Sequence, residues 1–260
     1  MILKSIHKSF LLFLLALTFL RCSKTEDTPV TPTTPTTVNK VPEVYAKIYG
    51  TTTAITSDGT TITIKSTGTP DHKSPYYAVA NPLYEAFTGT TFGGYAFKKN
   101  PNNITAAPLT FRIPLNPKAA TNHAATPLGA IGVALNGVAL YNQYAGPNNL
   151  ELTTEIFSFD KYYGHPQAQG EYHYHVEPFY LTTVKSTKSG LMGFLLDGFP
   201  VYGPQEENGS TVVSSGLDVY HGHTHTTVDF PNGTYHYHFT ADAPYMNGNG
   251  YYGTPGTATK

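Results

Sequence analysis

Three blocks of sequence occur twice, in the same order, in the second half of this chain. The first set runs GVALNGVALYN (Gly132–Asn142), DKYYGH (Asp160–His165) and GEYHYH (Gly170–His175). The second runs GFLLDGFPVYG (Gly193–Gly203), DVYHGH (Asp218–His223) and GTYHYH (Gly233–His238). Gly132 matches Gly193, Leu135 matches Leu196, Gly137 matches Gly198 and Tyr141 matches Tyr202. Asp160 and Asp218 each precede a Gly-His by the same interval. Only the connecting stretches differ in length. A repeat constrains the fold strongly, because whatever one copy builds the other must build too. The copies, about 132–175 and 193–238, are therefore expected to pack about a pseudo-twofold axis.

The units themselves are short apolar runs between Gly, Pro and Asn, and no window supports a long helix. With 24 Gly, 20 Pro and 20 Tyr against only 13% charged residues, the chain is suited to short strands and tight turns. Thr51–Ile64 reads as a hairpin turning at Ser57-Asp58-Gly59, and Asn136-Gly137 and Asp197-Gly198 read as matched tight turns. The expected fold is all-β or mostly β: a single domain of short strands over about residues 41–260.

The N-terminal region reads differently. Lys4 and Lys8 followed by the apolar run Phe10–Leu20 have the form of a signal peptide, too short to span a bilayer comfortably. The only cysteine, Cys22, closes that run and resembles a bacterial lipoprotein processing site, although Arg21 departs from the small residue usual before it. Residues 1–21 are then the signal peptide and Cys22 the lipidated residue. Residues 22–40, rich in Thr and Pro, form a tether with too few apolar side chains to build a core. This implies export and a lipid-anchored place in the cell envelope, at the outer membrane or the cell surface, with the membrane as partner. A formal net charge of −1 and the lack of a basic stripe exclude nucleic acid as an obvious partner.

The chemistry is expected at the Tyr-His-Tyr-His segments. Side chains alternate on a strand, so His173 and His175 share one face and Tyr172 and Tyr174 the other. His236 and His238 stand in the same relation. His165 and His223, each following a glycine at what reads as a turn, supply a third imidazole per copy, and Asp160 and Asp218 are placed to orient a histidine. Alternating Tyr and His also suits a packed core. Six histidines in two matched triplets fit a metal site better, since each buried imidazole needs partners for both nitrogens. The unequal gaps, His165 to His173 and His223 to His236, point to one shared cluster over two separate sites. His221, His225 and His72 are possible auxiliary ligands, although the first two read as solvated loop positions and His72 as a turn residue. His123 reads as solvent-facing. Without thiolates or a Met cluster, an imidazole-rich site suits a divalent transition metal: Zn(II), Cu(II), Ni(II) or Fe(II), zinc or copper foremost.

These motifs, from TPDHKSPY through GVALNGVALYN, GHPQAQGEYHYH, GFLLDGFPVYGP and GTYHYHFTADAPY to about Tyr252, resemble the YHYH-domain family, which is named for the tetrapeptide. The family often carries a cysteine between the Asp and the Gly-His; Tyr162 and Tyr220 occupy those positions here, so no disulfide or thiolate role transfers. The resemblance implies no settled activity. Three classes of function fit the residues: a surface metal-binding protein, an extracytoplasmic hydrolase using the His/Asp cluster, and a glycan- or protein-binding module with tyrosine stacking surfaces. Tyrosines buried beneath clustered histidines would favour metal, and exposed rows of tyrosine the module. The sequence contains no G-x-S-x-G elbow and no His-Glu-x-x-His helix.

Overall fold

The structure is a computed structural model that describes residues 39–260. The signal segment, Cys22 and the tether as far as residue 38 lie outside the described residues. The described residues are mostly β, and their helical pieces are short, such as Glu43–Lys47, Ile156–Ser158 and Leu181–Lys185. In order the strands are β1 (Thr52–Ser57), β2 (Thr61–Ser66), β3 (Leu109–Pro114), β4 (Ala130–Ala134), β5 (Ala139–Tyr141), β6 (Tyr144–Ala145) and β7 (Leu150–Glu151). There follow β8 (Gly164–Pro166), β9 (Tyr172–Tyr174), β10 (Leu191–Leu195), β11 (Pro200–Tyr202), β12 (Gly222–Thr227), β13 (Phe230–His238) and β14 (Thr257–Thr259).

The β1–β2 hairpin forms where Thr/Ile alternation predicts it. Asp58 Oδ1 accepts from the backbone N–H groups of Thr60 and Thr61, both at 2.8 Å, which fixes the turn. These strands join β3 and β14 in a four-stranded sheet, ordered β1-β2-β3-β14. Alternate residues of β2 and β3 (Ile62, Ile64, Phe111 and Ile113) are fully buried. They share one core with Ile131, Val133, Phe194 and Val201 of the larger sheet.

That larger sheet has eight strands in the order β12-β13-β11-β10-β4-β5-β9-β8. Read outward from its centre, β4-β5-β9-β8 on one side meets β10-β11-β13-β12 on the other, so each block of the first copy lies opposite the equivalent block of the second. The central pair β4 and β10 is antiparallel, with Gly193 beside Ala134 and Leu195 beside Gly132. The matched glycines have a packing reason. A Cβ on Gly132 would lie 2.5 Å from the Phe194 carbonyl oxygen, and one on Gly193 would lie 2.3 Å from that of Val133. On both sides a tight turn follows, with Gly137 at φ 82° and Gly198 at φ 87°, as the Asn-Gly and Asp-Gly pairs predict. The strands after those turns pair in parallel with the Tyr-His strands at the same register, Leu140 with Tyr174 and Val201 with Tyr237.

Candidate metal centres

The alternation of β9 carries Tyr172 and Tyr174 into the core and His173 and His175 to the other face. β8 pairs antiparallel with β9, placing His165 directly across from His173. The three imidazoles then converge through one nitrogen each. His173 Nε2 lies 3.1 Å from His165 Nε2 and 3.0 Å from His175 Nε2.

The opposite nitrogens fix the tautomers. His173 Nδ1 faces the Glu171 carbonyl at 3.2 Å, and His175 Nδ1 faces that of Asn142 at 2.6 Å. His165 Nδ1 faces Ser158 Oγ at 2.6 Å, and that hydroxyl gives its own hydrogen to the Glu155 carbonyl. All three Nδ1 atoms therefore donate, and in a neutral ring the Nε2 lone pair points into the cluster. Burial holds the His165 imidazole down to about 3 and that of His173 well below its ordinary value, so both rings are neutral near pH 7. Imidazole lone pairs at such a distance repel one another, and a cation among them turns the repulsion into ligation. With metal–nitrogen bonds of ~2.0–2.1 Å, tetrahedral ligands stand about 3.3–3.4 Å apart, close to the separations here. Glu155 adds a carboxylate, its Oε1 at 3.3 Å from His175 Nε2 and 3.8 Å from His165 Nε2.

The second cluster repeats the plan on β12 and β13. His223 stands across from His236, with their Nε2 atoms 3.1 Å apart. His236 Nδ1 faces the carbonyl two residues back, on Thr234, as His173 faces that of Glu171. His238 Nδ1 faces the Gly203 carbonyl at 2.7 Å; Gly203 is the counterpart of Asn142. The buried His238 Nε2 has no hydrogen-bond partner, an orphan that a cation would satisfy. His225, two residues beyond His223 on the same strand face, joins as a fourth imidazole. Glu206 reaches His223 Nε2 at 3.3 Å with Oε1 and His225 Nε2 at 3.0 Å with Oε2. Burial lowers His236 to about 3 and His238 to about 4.

The six predicted ligands are thus all in place, but in two centres and not in one shared cluster. β9 and β13 are separated by β5, β4, β10 and β11, five strand steps or about 24 Å at ~4.8 Å each. The unequal gaps misled because hairpin length, not register, absorbs the difference. β12 and β13 continue past the His pair to Thr227 and Phe230, whereas the β8–β9 hairpin closes with Gln167 N–H on the Glu171 carbonyl. His165 and His223 are strand residues, not turn residues.

Other expectations also need correction. Asp160 and Asp218 orient no histidine. Each accepts from the backbone two residues on, at Tyr162 or Tyr220, and from a core tyrosine hydroxyl, Tyr172 at 3.0 Å or Tyr235 at 2.9 Å. They sit on the tyrosine side of the sheet and hold the turn that leads into the histidine strand. His72 is neither ligand nor turn cap; it is buried on that same side with Nε2 3.0 Å from the Tyr174 hydroxyl. His221 is buried rather than solvated. It takes the left-handed position of the Asp218 turn (φ 75°), which directs its Nε2 to Thr240 Oγ1 at 3.0 Å, away from the cluster. His225 lies on β12 and not in a solvated loop, with its ring among the other three imidazoles. His123 is exposed, as expected, and stacks on Tyr220.

Glu155 and Glu206 were missed in the sequence, and no spacing signals them. One precedes its Gly-His histidine by ten residues and the other by seventeen, both from irregular segments. The tyrosines of the repeated motif are buried beneath the histidines, the arrangement expected of a metal site.

Fold and site together define a β protein with two histidine-lined hairpins at the two ends of one sheet, each able to hold a metal ion. The chain belongs to the YHYH protein family, whose model matches residues 110–214 and 205–250. No curated protein and no solved structure matches it.

Proposed function

We propose that this protein is an exported, lipid-anchored metal-binding protein that holds two divalent transition-metal ions, one at His165, His173 and His175 and one at His223, His225, His236 and His238. The observation that carries this reading is the tautomer lock. At the first centre every Nδ1 is committed as a donor, so the three converging Nε2 atoms are the ones free to ligate, and a single cation satisfies them together. Glu155 and Glu206 supply a carboxylate to each centre and partly balance the ion's charge. Imidazole with one carboxylate suits zinc or copper among the available ions. Anchoring rests on the apolar segment that ends at Cys22 and on the Thr/Pro tether after it.

Elemental analysis of the mature protein, purified without chelator and dialysed, tests the binding. About two ions per chain are expected, as one per His cluster requires. A metal content near zero after exposure to Zn(II), Cu(II), Ni(II) and Fe(II) overturns the reading. Cys22→Ala tests the anchor, with loss from the membrane fraction expected.

A further inference from the structure

Within the paired strands the two centres differ in their imidazole count. Gly222-His223-Thr224-His225 on β12 corresponds to Gly164-His165-Pro166-Gln167 at β8, since His223 pairs with His236 as His165 pairs with His173. Gln167 therefore stands where the second centre has its fourth imidazole. It does not close the first centre; it lines a cavity of about 700 Å³ whose wall also contains His165, His173, His175 and Glu155. The hollow beside the second cluster is about 360 Å³. The larger cavity has the size of a small-molecule site. It continues past Leu128, Gly129, Tyr141 and Gln167, which belong to both, into a further hollow of about 520 Å³. The result is an elongated cleft with a metal centre in one wall.

The chemistry of that wall selects the occupant. Around the metal centre the lining holds no Lys or Arg among the described residues, and the lysine of the further hollow, Lys260, is already paired with Glu171 at 3.1 Å. Away from the imidazoles and Glu155, the lining carries four carboxamides, those of Asn100, Asn102, Gln167 and Gln169, beside the rings of Tyr144 and Phe157. Carboxamides donate and accept, as hydroxyl and acetamido groups do, and aromatic rings pack on the C–H faces of sugars. A peptide that bound by strand addition would use the free edge of β8. That edge is blocked at Pro166, which has no N–H and whose carbonyl already accepts from Asn100 Nδ2 at 3.1 Å and Asn102 Nδ2 at 3.2 Å. We infer that the cleft binds a neutral oligosaccharide and presents one of its oxygen atoms to a fifth coordination position, beside the three imidazoles and Glu155, which His225 takes at the second centre and Gln167 leaves open at the first. This rests on the two-centre reading above.

The test uses the mature protein loaded with Co(II), whose visible absorption reports coordination number, titrated with chitotetraose, a neutral tetrasaccharide of N-acetylglucosamine. A saturable spectral change is expected. Gln167→His should keep the cobalt content and lose the change, because a fourth imidazole fills the position. Tyr144→Ala should weaken the response about tenfold, the loss of ~1.4 kcal/mol of contact. Elemental analysis of the same samples separates the two ideas. Cobalt well below two per chain overturns the two-centre reading and this inference with it. Full cobalt with no response to the sugar, a response to the neutral peptide Ala-Gln-Ala-Gln in its place, or an undiminished response in Gln167→His overturns this inference alone.

Discussion

His173 Nε2 lies 3.0 Å from His175 Nε2, while the Nδ1 atoms of both rings turn outward to backbone carbonyls. The strand alternation places the two rings, and the carbonyls of Glu171 and Asn142 rotate them so that the same nitrogen of each points inward. Such backbone partners raise the ligand strength of an imidazole and fix its tautomer. His236 and His238 repeat the relation with Thr234 and Gly203.

Because about 24 Å of sheet separates the centres, their ligands share no ion. His173→Ala/His175→Ala should remove one ion and leave the second centre filled, and His236→Ala/His238→Ala should do the converse. The losses should add, as they do for distant sites without common partners. Elemental analysis of the two double variants and the quadruple variant checks this. A double variant that loses both ions would show that the centres depend on each other.

On the other face of the sheet, Tyr237 donates to Asp197 Oδ2 at 2.6 Å and accepts from the Tyr252 N–H at 2.7 Å. Tyr237→Phe leaves the buried carboxylate short of a donor and should cost about 1–3 kcal/mol. Metal content should not change, since no ligand atom is touched. Chemical denaturation with parallel metal analysis measures both; reduced metal content would contradict the division of labour between the faces.

The sequence exposes the histidine ligands well because strand period and repeat agree on them: His173, His175, His236 and His238 occur at alternate positions in identical tetrapeptides. It exposes the carboxylates not at all. Glu155 and Glu206 come from irregular segments at unequal distances, and only tertiary folding brings them to the imidazoles. The aspartates were legible as important but not in role. A same-interval Asp before Gly-His fits a ligand-orienting group and a turn anchor equally, and only the tyrosine hydroxyls on Asp160 and Asp218 decide between them. The number of centres depends on strand order, which sequence gaps do not encode.

The seam between the two halves is the place where backbone approach leaves no room for a side chain. A Cβ on Gly193 would sit 2.3 Å from the Val133 carbonyl oxygen and 2.9 Å from Ala134 Cα. Both are backbone atoms in the centre of the sheet and cannot swing aside. Gly193→Ala should destabilise the protein by about 1–3 kcal/mol, the ordinary cost of overpacking. Thermal melting measures it. A melting temperature equal to that of the wild type would mean that β4 and β10 separate more easily than their register suggests.

Acid should unfold the metal-free protein early. Burial lowers His72 to about 4, His165 to about 3, His221 to about 4, His236 to about 3 and His238 to about 4, against an unfolded value near ~6.5. Between those values the unfolded chain takes up protons that the folded chain refuses, so stability is intact above pH ~6.5 and falls as pH drops toward about 4. Asp160 and Asp197 act in the opposite sense. Burial raises both to about 6, so each favours the folded state more as pH falls below that value. Five imidazoles against two carboxyls leave the net slope toward acid instability. In chelator the melting temperature should fall steadily from pH 7 to pH 4.5. With zinc present it should stand higher at pH 7 and fall more steeply, because the metal stabilises only the folded protein and competes with protons for the same Nε2 atoms. Melting curves taken with and without chelator across this range decide the matter. A metal-free profile that is flat below pH 6.5 would mean that the buried imidazoles take protons without unfolding the chain.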